Sequence, residues 1–363
     1  MHRRLTPRWL DSILPYNPGR SLRDLQSACG DVELLCLGSN ENCLGASPRA
    51  HEAMGRAAPM AWLYPDGDCP YLRAKLAKRL GLPPEHFVFG AGSHEVLDLA
   101  VRAFVLPEEE VLTADVTFLA YKLSTLGAGR RLVEVPVRDM TYDLDAMARA
   151  ITSRTKLILI ANPNNPTGTI VRRSELETFI QRVPPDVVLG LDEAYIEYVS
   201  DPDFPDSLAY HQSQRRMLTL RTFSKIYGLA GCRIGYGIGQ PDMIAALEKL
   251  RLAFNVNSIA QAAAEAALDD EEHVTMSRRV AQAGTALLHQ ELRALGLQAW
   301  PSHANFVLVD VGRAATALAE AMLKRGVIVR AVGPTLLRVT AGTEPQNLRC
   351  VKTLQWALQQ LGG

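Results

Sequence analysis

The chain has 363 residues, of which 47% are apolar and 21% charged, and its 39 basic residues equal its 39 acidic ones with histidine neutral. This composition is typical of a soluble globular protein, and the zero balance argues against nucleic acid or an anionic membrane as a partner. A chain of this length is long for one compact core, so we expect one large and one smaller domain.

The N-terminus is basic, but the apolar core that a signal peptide requires does not follow it. The six cysteines form no CxxC pair, which is typical of reduced thiols in a cytosolic enzyme. We therefore expect a cytoplasmic protein. Residues 1–35 carry proline and arginine with little periodicity, and we expect them to form an arm that packs on the smaller domain or on a partner.

Short apolar runs alternate with helical patterns through residues 36–240. This alternation predicts an α/β large domain with a mostly parallel seven-stranded sheet between layers of helices. The predicted strands are Phe87–Phe89, Val111–Thr113, Leu132–Val135, Leu157–Ala161, Val187–Leu191, Met217–Leu220 and Ile234–Ile238.

After Gln240 the pattern changes, and residues 241–363 are predicted to form a smaller α+β domain. Its predicted helices are Pro241–Leu252, Ser258–Leu268, His273–Leu295 and Ala314–Lys324. Its predicted strands are Phe306–Val309, Val327–Arg330 and Leu336–Val339.

Polar motifs follow several predicted strands of the large domain. Gly90–Glu95 opens a helix, where glycines allow close approach and free N–H groups attract a phosphate; an ordinary turn with Ser93 as N-cap is the alternative. Asn162–Thr169 contains two Asn-Pro pairs, which predict a rigid turn that aims an amide side chain, or a purely structural loop.

The strand Val187–Leu191 ends in Asp192. A carboxylate at the end of a buried strand is costly unless it has a cationic partner, and a protonated pyridine nitrogen would be one. The alternative, an acid that caps the next helix, fits Glu193 better than Asp192.

Lys225 and Arg233 follow the strand Met217–Leu220. The segment offers an amine that can form a Schiff base, with hydroxyls and a guanidinium to hold a phosphate, which are the parts needed for pyridoxal 5'-phosphate (PLP). Ligands of open α/β sheets bind at such strand ends, although most lysines are solvated surface charges. Arg338, in a strand of the smaller domain, suits a carboxylate, with a surface salt bridge as the alternative.

Other chemistries lack their motifs. The histidines are scattered without metal-ligand spacing, Gly235–Gly239 lacks the spacing of a dinucleotide loop, and no GxSxG appears.

Together, these segments resemble the fold type I PLP-dependent aminotransferases, most closely the histidinol-phosphate aminotransferase group. The similarity runs from about Pro18 to the C-terminus, and its most specific pieces are Asn40–Pro48, Tyr64–Gly67, Asn162–Gly168, Asp192–Tyr195, Arg221–Tyr236 and Leu337–Gly342.

The resemblance implies a role for each matching residue. Lys225 would carry the Schiff base and move the proton, Asp192 would hold the pyridinium, and Asn165 and Tyr195 would bond the phenolate oxygen. The phosphate would lie against the backbone of Gly92, Ser93 and His94 and the side chains of Thr222, Ser224 and Arg233. Phe118, or as the alternative Tyr121, would stack on the ring.

Substrate and partner residues also follow from the resemblance. Arg338 would clamp the α-carboxylate of glutamate or the phosphate of the amino donor, with Asn40 and Arg20 on the substrate side. Tyr64 would reach the phosphate from the other subunit, which implies a homodimer with shared sites.

The implied reaction is transamination between L-histidinol phosphate and 2-oxoglutarate in histidine biosynthesis. An aminotransferase for another donor, aromatic or from a biosynthetic cluster, and a threonine-phosphate decarboxylase remain open, because a fold does not determine its function. A non-catalytic PLP-fold regulator would need a lost lysine or a fused DNA-binding segment, and the sequence has neither. Cys43, Val116 and His94 depart from the family pattern and bear on the substrate loops.

Overall fold

The computed structural model describes residues 5–13, 21–211 and 215–361; Arg20 lies outside them. The helices of these residues are α1 (Leu22–Cys29), α2 (Pro48–Ala57), α3 (Pro70–Leu80), α4 (Ser93–Phe104), α5 (Leu119–Gly127), α6 (Leu144–Ala150), α7 (Arg173–Arg182), α8 (Ser207–Tyr210), α9 (Pro241–Glu248), α10 (Ser258–Ala267), α11 (Glu271–Ala294), α12 (Ala315–Leu323) and α13 (Glu344–Gln360). The strands are β1 (Leu35–Cys36), β2 (Phe87–Gly90), β3 (Glu110–Ala114), β4 (Arg131–Val135), β5 (Thr155–Ala161), β6 (Val188–Asp192), β7 (Met217–Thr222), β8 (Gly235–Gly239), β9 (Gln298–Ala299), β10 (Phe306–Asp310), β11 (Val327–Ile328), β12 (Arg330–Ala331) and β13 (Leu336–Thr340).

The large sheet has seven strands in the order β2-β8-β7-β6-β5-β3-β4. All seven predicted strands form it, so the predicted large α/β sheet is confirmed. Strand β8 runs antiparallel to both of its neighbours, β2 and β7, and the other neighbouring pairs of this sheet are parallel. The connection from β7 to β8 contains a single 3-10 turn, Ala230–Cys232, and no crossover helix, so the chain returns in the opposite direction.

Helices cover both faces of this sheet, as its apolar sequence requires. Along β5, Leu157 and Leu159 pack into the layer of α4, α5 and α9, whereas Ile158 and Ile160 pack into the layer of α6 and α7. Successive strand residues point to opposite faces, so a continuous apolar run supplies both layers.

The smaller domain contains a four-stranded antiparallel sheet in the order β12-β13-β10-β9. Apolar side chains of α11, α12 and α13 pack against it in one cluster. The predicted strand Val327–Arg330 is instead two short strands, because β11 pairs with β1 while β12 pairs with β13. The chain thus changes its pairing partner at Val329.

Near the predicted domain boundaries, some elements pack on a different domain from the one that the sequence pattern predicts. Helix α10 packs on α2 and α3, and α9 packs on α4, so both helices lie with the large sheet. In the arm, Leu35 pairs with the smaller domain, whereas the ring of Trp9 lies beside Gly129 at the end of α5, on the large sheet. The boundaries at residues 35 and 240 stay predictions.

Among the described residues, we find no helix that is both long enough and apolar enough to cross a membrane.

Gly235 is required where β8 passes the start of α4. A Cβ added to it would lie 2.3 Å from the Ser93 nitrogen and 3.0 Å from the Arg221 carbonyl oxygen, and neither backbone atom can move freely. We expect Gly235→Ala to lower stability by about 1–3 kcal/mol, as overpacking does, and to lower the urea midpoint of unfolding. Gly231→Ala is the control, because a Cβ there meets nothing within 4 Å. Equal midpoints for the two variants would contradict this packing.

Candidate active site

Most of the predicted cofactor residues converge on one cavity at the carboxyl ends of β5, β6 and β7. The cavity has a volume of about 270 Å³. Its lining includes Ser93, His94, Phe118, Asn165, Asp192, Tyr195, Thr222, Ser224, Lys225 and Arg233. Parallel strands end at the same edge of a sheet, which is why motifs far apart in sequence meet here.

Lys225 lies in the connection between β7 and β8. Its Nζ donates to the carbonyl oxygen of Ser39 at 3.3 Å and lies 5.6 Å from the centre of the Tyr195 ring. The amine therefore faces the cavity beside the aromatic ring, in reach of a bound carbonyl compound.

Asp192 ends β6 and is 6% exposed. Its Oδ2 accepts from the Tyr121 hydroxyl at 3.0 Å and its Oδ1 accepts from the Ala194 backbone N–H at 3.1 Å. Burial raises the pKa of the carboxyl to about 6, although these hydrogen bonds and the charge of Lys225 oppose the rise. A cation bound in the cavity would offset the cost of burying this charge.

Tyr121 has a different place from the stacking position considered for it. It is fully buried in α5, and its hydroxyl is occupied by Asp192. Phe118 lines the cavity and contacts the Tyr121 ring edge-on, at 5.7 Å between ring centres. Of these two residues, Phe118 is therefore the one whose side chain lines the cavity.

Glu193, the alternative cap of a following helix, instead pairs with a buried arginine. Arg221 Nη2 lies 2.8 Å from Glu193 Oε2, and the two residues are 8% and 2% exposed. This ion pair satisfies a second carboxylate beside Asp192 without using the cavity.

An anion cradle forms around Arg233. Its Nη1 donates to Ser224 Oγ at 3.3 Å, and its Nη2 donates to the Ala91 carbonyl oxygen, also at 3.3 Å. Helix α4 begins beside it, and the first amides of a helix point outward and attract anions. Ser93 and His94 supply those amides.

Gly92 contributes to this cradle differently from the prediction. Its N–H already donates to the Gly90 carbonyl oxygen at 2.7 Å, so it is not a spare donor. A Cβ on Gly92 would lie 2.3 Å from Arg233 Nη2. The missing side chain is what lets the guanidinium reach the start of α4.

His94 lies between the cradle and the neighbouring cavity. Its Nε2 is 3.2 Å from Ser124 Oγ. Burial lowers the pKa of the imidazole, and the charge of Arg233 lowers it further.

A second cavity of about 730 Å³ adjoins the first and shares His94, Phe118 and Asn165 with it. Arg338 and Arg330 line it and are directly opposite each other in the β12–β13 pair. Arg338 Nη1 donates to Asn165 Oδ1 at 2.7 Å, which leaves the Asn165 amide nitrogen as the donor for a ligand. Sequence reasoning missed Arg330, because strand register is not visible in the sequence.

Neither Asn40 nor Tyr64 lines either of the two cavities. Asn40, expected on the substrate side, is 1% exposed and donates from Nδ2 to the Tyr195 hydroxyl at 2.8 Å. Tyr64 is 83% exposed and stacks on Phe254, with 4.8 Å between ring centres. Asn40 therefore contacts Tyr195 and not the cavity. The ring of Tyr64 lies on the surface.

Comparison with known proteins shows the family of the chain. The chain belongs to the aminotransferase class I and II family, whose sequence profile matches residues 32–354. It is 45% identical to a histidinol-phosphate aminotransferase of Anaeromyxobacter sp. over 96% of this chain and 98% of that protein. It is 44% identical to one of Moorella thermoacetica over 95% of this chain and 90% of that protein.

A solved structure gives the same result. The histidinol-phosphate aminotransferase of Sinorhizobium meliloti, in complex with pyridoxal 5'-phosphate, superposes with a TM-score of 0.90 at 28% identity, with 99% of each chain covered. The protein is a PLP-dependent aminotransferase, and the resemblance drawn from its sequence is confirmed.

The cavity residues fit PLP on their own geometry. The raised pKa of Asp192 indicates a carboxylate that gains from a cationic partner such as a pyridinium. The Gly92–Arg233 approach leaves a positive cradle at the start of α4, which suits a phosphate. Lys225 lines the same cavity as Asp192 and Arg233.

The titration of Asp192 predicts how cofactor affinity depends on pH. Because burial raises its pKa to about 6, the carboxyl is ionised above that pH and loses its charge as the pH falls through it. We expect PLP binding to weaken below pH 6 in the wild type, beyond the effect of the phosphate's own titration. Asp192→Asn binds PLP more weakly and lacks this component.

The measurement is the dissociation constant of PLP at a series of pH values for both proteins. The phosphate titration is common to the two, so the difference between their profiles isolates Asp192. Parallel profiles would rule out an ion pair with this carboxylate.

Proposed function

We propose that this enzyme transfers the amino group of L-histidinol phosphate to 2-oxoglutarate in histidine biosynthesis. The observation that carries the proposal is the second cavity, a largely apolar space that is lined by Asn165 and by two paired arginines, Arg330 and Arg338. An imidazole ring suits the apolar walls, and a phosphate or carboxylate suits the guanidinium groups. The similarity to relatives named for this reaction supports the assignment.

Bound PLP supplies an electron sink for the carbon that loses its proton. Lys225 would hold the cofactor through its amine and, when free, would accept and return the proton of the reacting carbon. Asp192 would pair with the protonated ring nitrogen. Tyr195 and Asn165 would donate to the phenolate oxygen, and Phe118 would stack on the ring.

The remaining residues hold the two anions. The cofactor phosphate would be held by Thr222, Ser224, Arg233 and the first amides of α4. Arg338 binds the carboxylate of the oxo acid in one half-reaction and the phosphate of the amino donor in the other. One arginine for both anions orients two different substrates toward the same lysine, and such positioning lowers the barrier.

We also propose a homodimer in which Tyr64 reaches the phosphate of the partner site. Tyr64 and Phe254 form an exposed aromatic pair, and Trp62 and Leu252 beside them in sequence are 77% and 72% exposed. Apolar surface of this kind marks an interaction face. A second copy of the chain would cover this surface. We further propose that the enzyme is cytoplasmic.

A related aminotransferase with an aromatic amino donor is the alternative that one observation favours. The second cavity has apolar walls, including Val116, Leu119, Leu123 and Leu336. A phenyl or phenol ring also suits them. Threonine-phosphate decarboxylation would differ from both transaminations by releasing carbon dioxide.

The substrate proposal is tested in a single half-reaction. Adding L-histidinol phosphate to the PLP-loaded enzyme should convert the visible absorption to that of the aminated cofactor, and 2-oxoglutarate should reverse the change. Lys225→Ala should show neither the starting absorption nor turnover. A spectrum that changes with an aromatic amino acid but not with histidinol phosphate would favour the alternative, and carbon dioxide release from threonine phosphate would indicate decarboxylation.

The shared site is tested by mixing inactive variants. In a hybrid of Tyr64→Ala and Lys225→Ala subunits, one of the two sites is intact if Tyr64 acts across the interface, so activity should return. Asp192→Asn mixed with Lys225→Ala is the matched control, because both residues act in their own subunit and no intact site forms. No recovery in the first mixture, with hybrid dimers demonstrated, would place Tyr64 outside the partner site.

A further inference from the structure

The segment 38–40 contacts a different reactive residue at each of its three positions. Its first carbonyl accepts from Arg338 Nη2 at 2.7 Å, and its second accepts from Lys225 Nζ at 3.3 Å. Its third residue, Asn40, donates from Nδ2 to the Tyr195 hydroxyl at 2.8 Å. Residues 38 and 39 use their backbone carbonyl oxygens for these contacts. Within the segment, only the contact of Asn40 therefore depends on which side chain is present.

Thr340 holds the amide of Asn40 in one orientation. The backbone N–H of Asn40 donates to Thr340 Oγ1 at 2.9 Å, and the Thr340 hydroxyl donates to Asn40 Oδ1 at 3.1 Å. Both residues are almost completely buried, at 1% and 2% exposure. A hydroxyl has one proton, and the acceptor available to it here is Oδ1, so the NH₂ group of the amide must face Tyr195.

The direction of this bond determines what Tyr195 can do. A hydroxyl that accepts a hydrogen bond from Asn40 keeps its own proton for another acceptor. Tyr195 lines the cofactor cavity, so that proton is available there. With the amide reversed, Oδ1 would take the proton and the cavity would lose a donor.

The backbone of Asn40 is held in an unusual conformation. Its φ is 57°, in the left-handed region that asparagine adopts more readily than most residues other than glycine. Glycine would adopt it too but would carry no amide. Buried strain of this kind persists where the surroundings fix it, and here Thr340 and Asn305, whose Nδ2 donates to the Asn40 carbonyl oxygen, fix it from the smaller domain.

We propose that Asn40, oriented by Thr340, is a positioning residue that directs the Tyr195 proton to the phenolate oxygen of the cofactor. The inference rests on the proposed role of Tyr195. Donation stabilises the negative oxygen, and this favours the form of the lysine–cofactor linkage that has lost its proton. Asn40 and Thr340 thus set the pH at which that linkage titrates, without touching the cofactor.

The test is a spectrophotometric pH titration of the cofactor bound to Lys225. Thr340→Val, which keeps the shape and removes the hydroxyl, should raise the midpoint by about 0.5–1 pH unit, the equivalent of one hydrogen bond of about 1 kcal/mol. Thr340→Ser, which keeps the hydroxyl, should have the wild-type midpoint. Asn40→Asp, whose carboxylate accepts the Tyr195 proton, should also raise it, and provides a second variant if Thr340→Val does not fold.

The Tyr195→Phe background separates the two proposals. If Thr340 acts through Tyr195, adding Thr340→Val to Tyr195→Phe should produce no further shift. An unchanged midpoint in both Thr340→Val and Asn40→Asp, with Tyr195→Phe shifted, would overturn the positioning role alone. A Thr340→Val shift that persists in the Phe background would also overturn it, and an unshifted Tyr195→Phe would overturn the role of Tyr195 as well.

Discussion

The buried carboxylate of Asp192 is the constraint around which the site is arranged. It ends a central strand, has two protein donors, Tyr121 and the Ala194 amide, and has a raised pKa. Further stabilisation must come from a positive charge, and the open side of the carboxylate is the cavity. Tyr121 approaches from α5 and Lys225 from the end of β7, so the sheet and its helices define where a cationic ring must lie.

A buried ion pair lies directly beside this acid. Glu193 follows Asp192 directly, yet Arg221 neutralises it away from the cavity, and Arg221 itself is followed by Thr222, which lines the cavity. Residues that alternate along a strand face opposite sides. Arg221 of β7 and Glu193, the residue after β6, therefore form a structural ion pair away from the cavity, whereas Asp192 and Thr222 line it. Removing either member of the pair would leave an uncompensated charge close to Asp192.

The sequence predicts what local patterns determine. All seven strands of the large sheet and the residues at their carboxyl ends follow from apolar runs that stop at polar motifs. The place of Tyr121 could not be predicted, because its partner Asp192 is 71 positions away and no local signal shows that the hydroxyl meets that carboxylate. Asn40 bonds a residue 300 positions away, and Gly92 serves a guanidinium from a distant loop. These roles depend on tertiary packing, which periodicity does not contain.

Strand β13 carries Arg338 and Thr340 on the same face, two residues apart. Arg338 bonds Asn165, and Thr340 bonds Asn40, which bonds Tyr195. The groups proposed for the phenolate edge of the ring are thus attached to the smaller domain, while those proposed for the phosphate belong to the large sheet. A rotation of the smaller domain would therefore change the hydrogen bonds at the phenolate edge of the ring and leave those at the phosphate unchanged. The visible absorption of the bound cofactor would then report the position of the smaller domain.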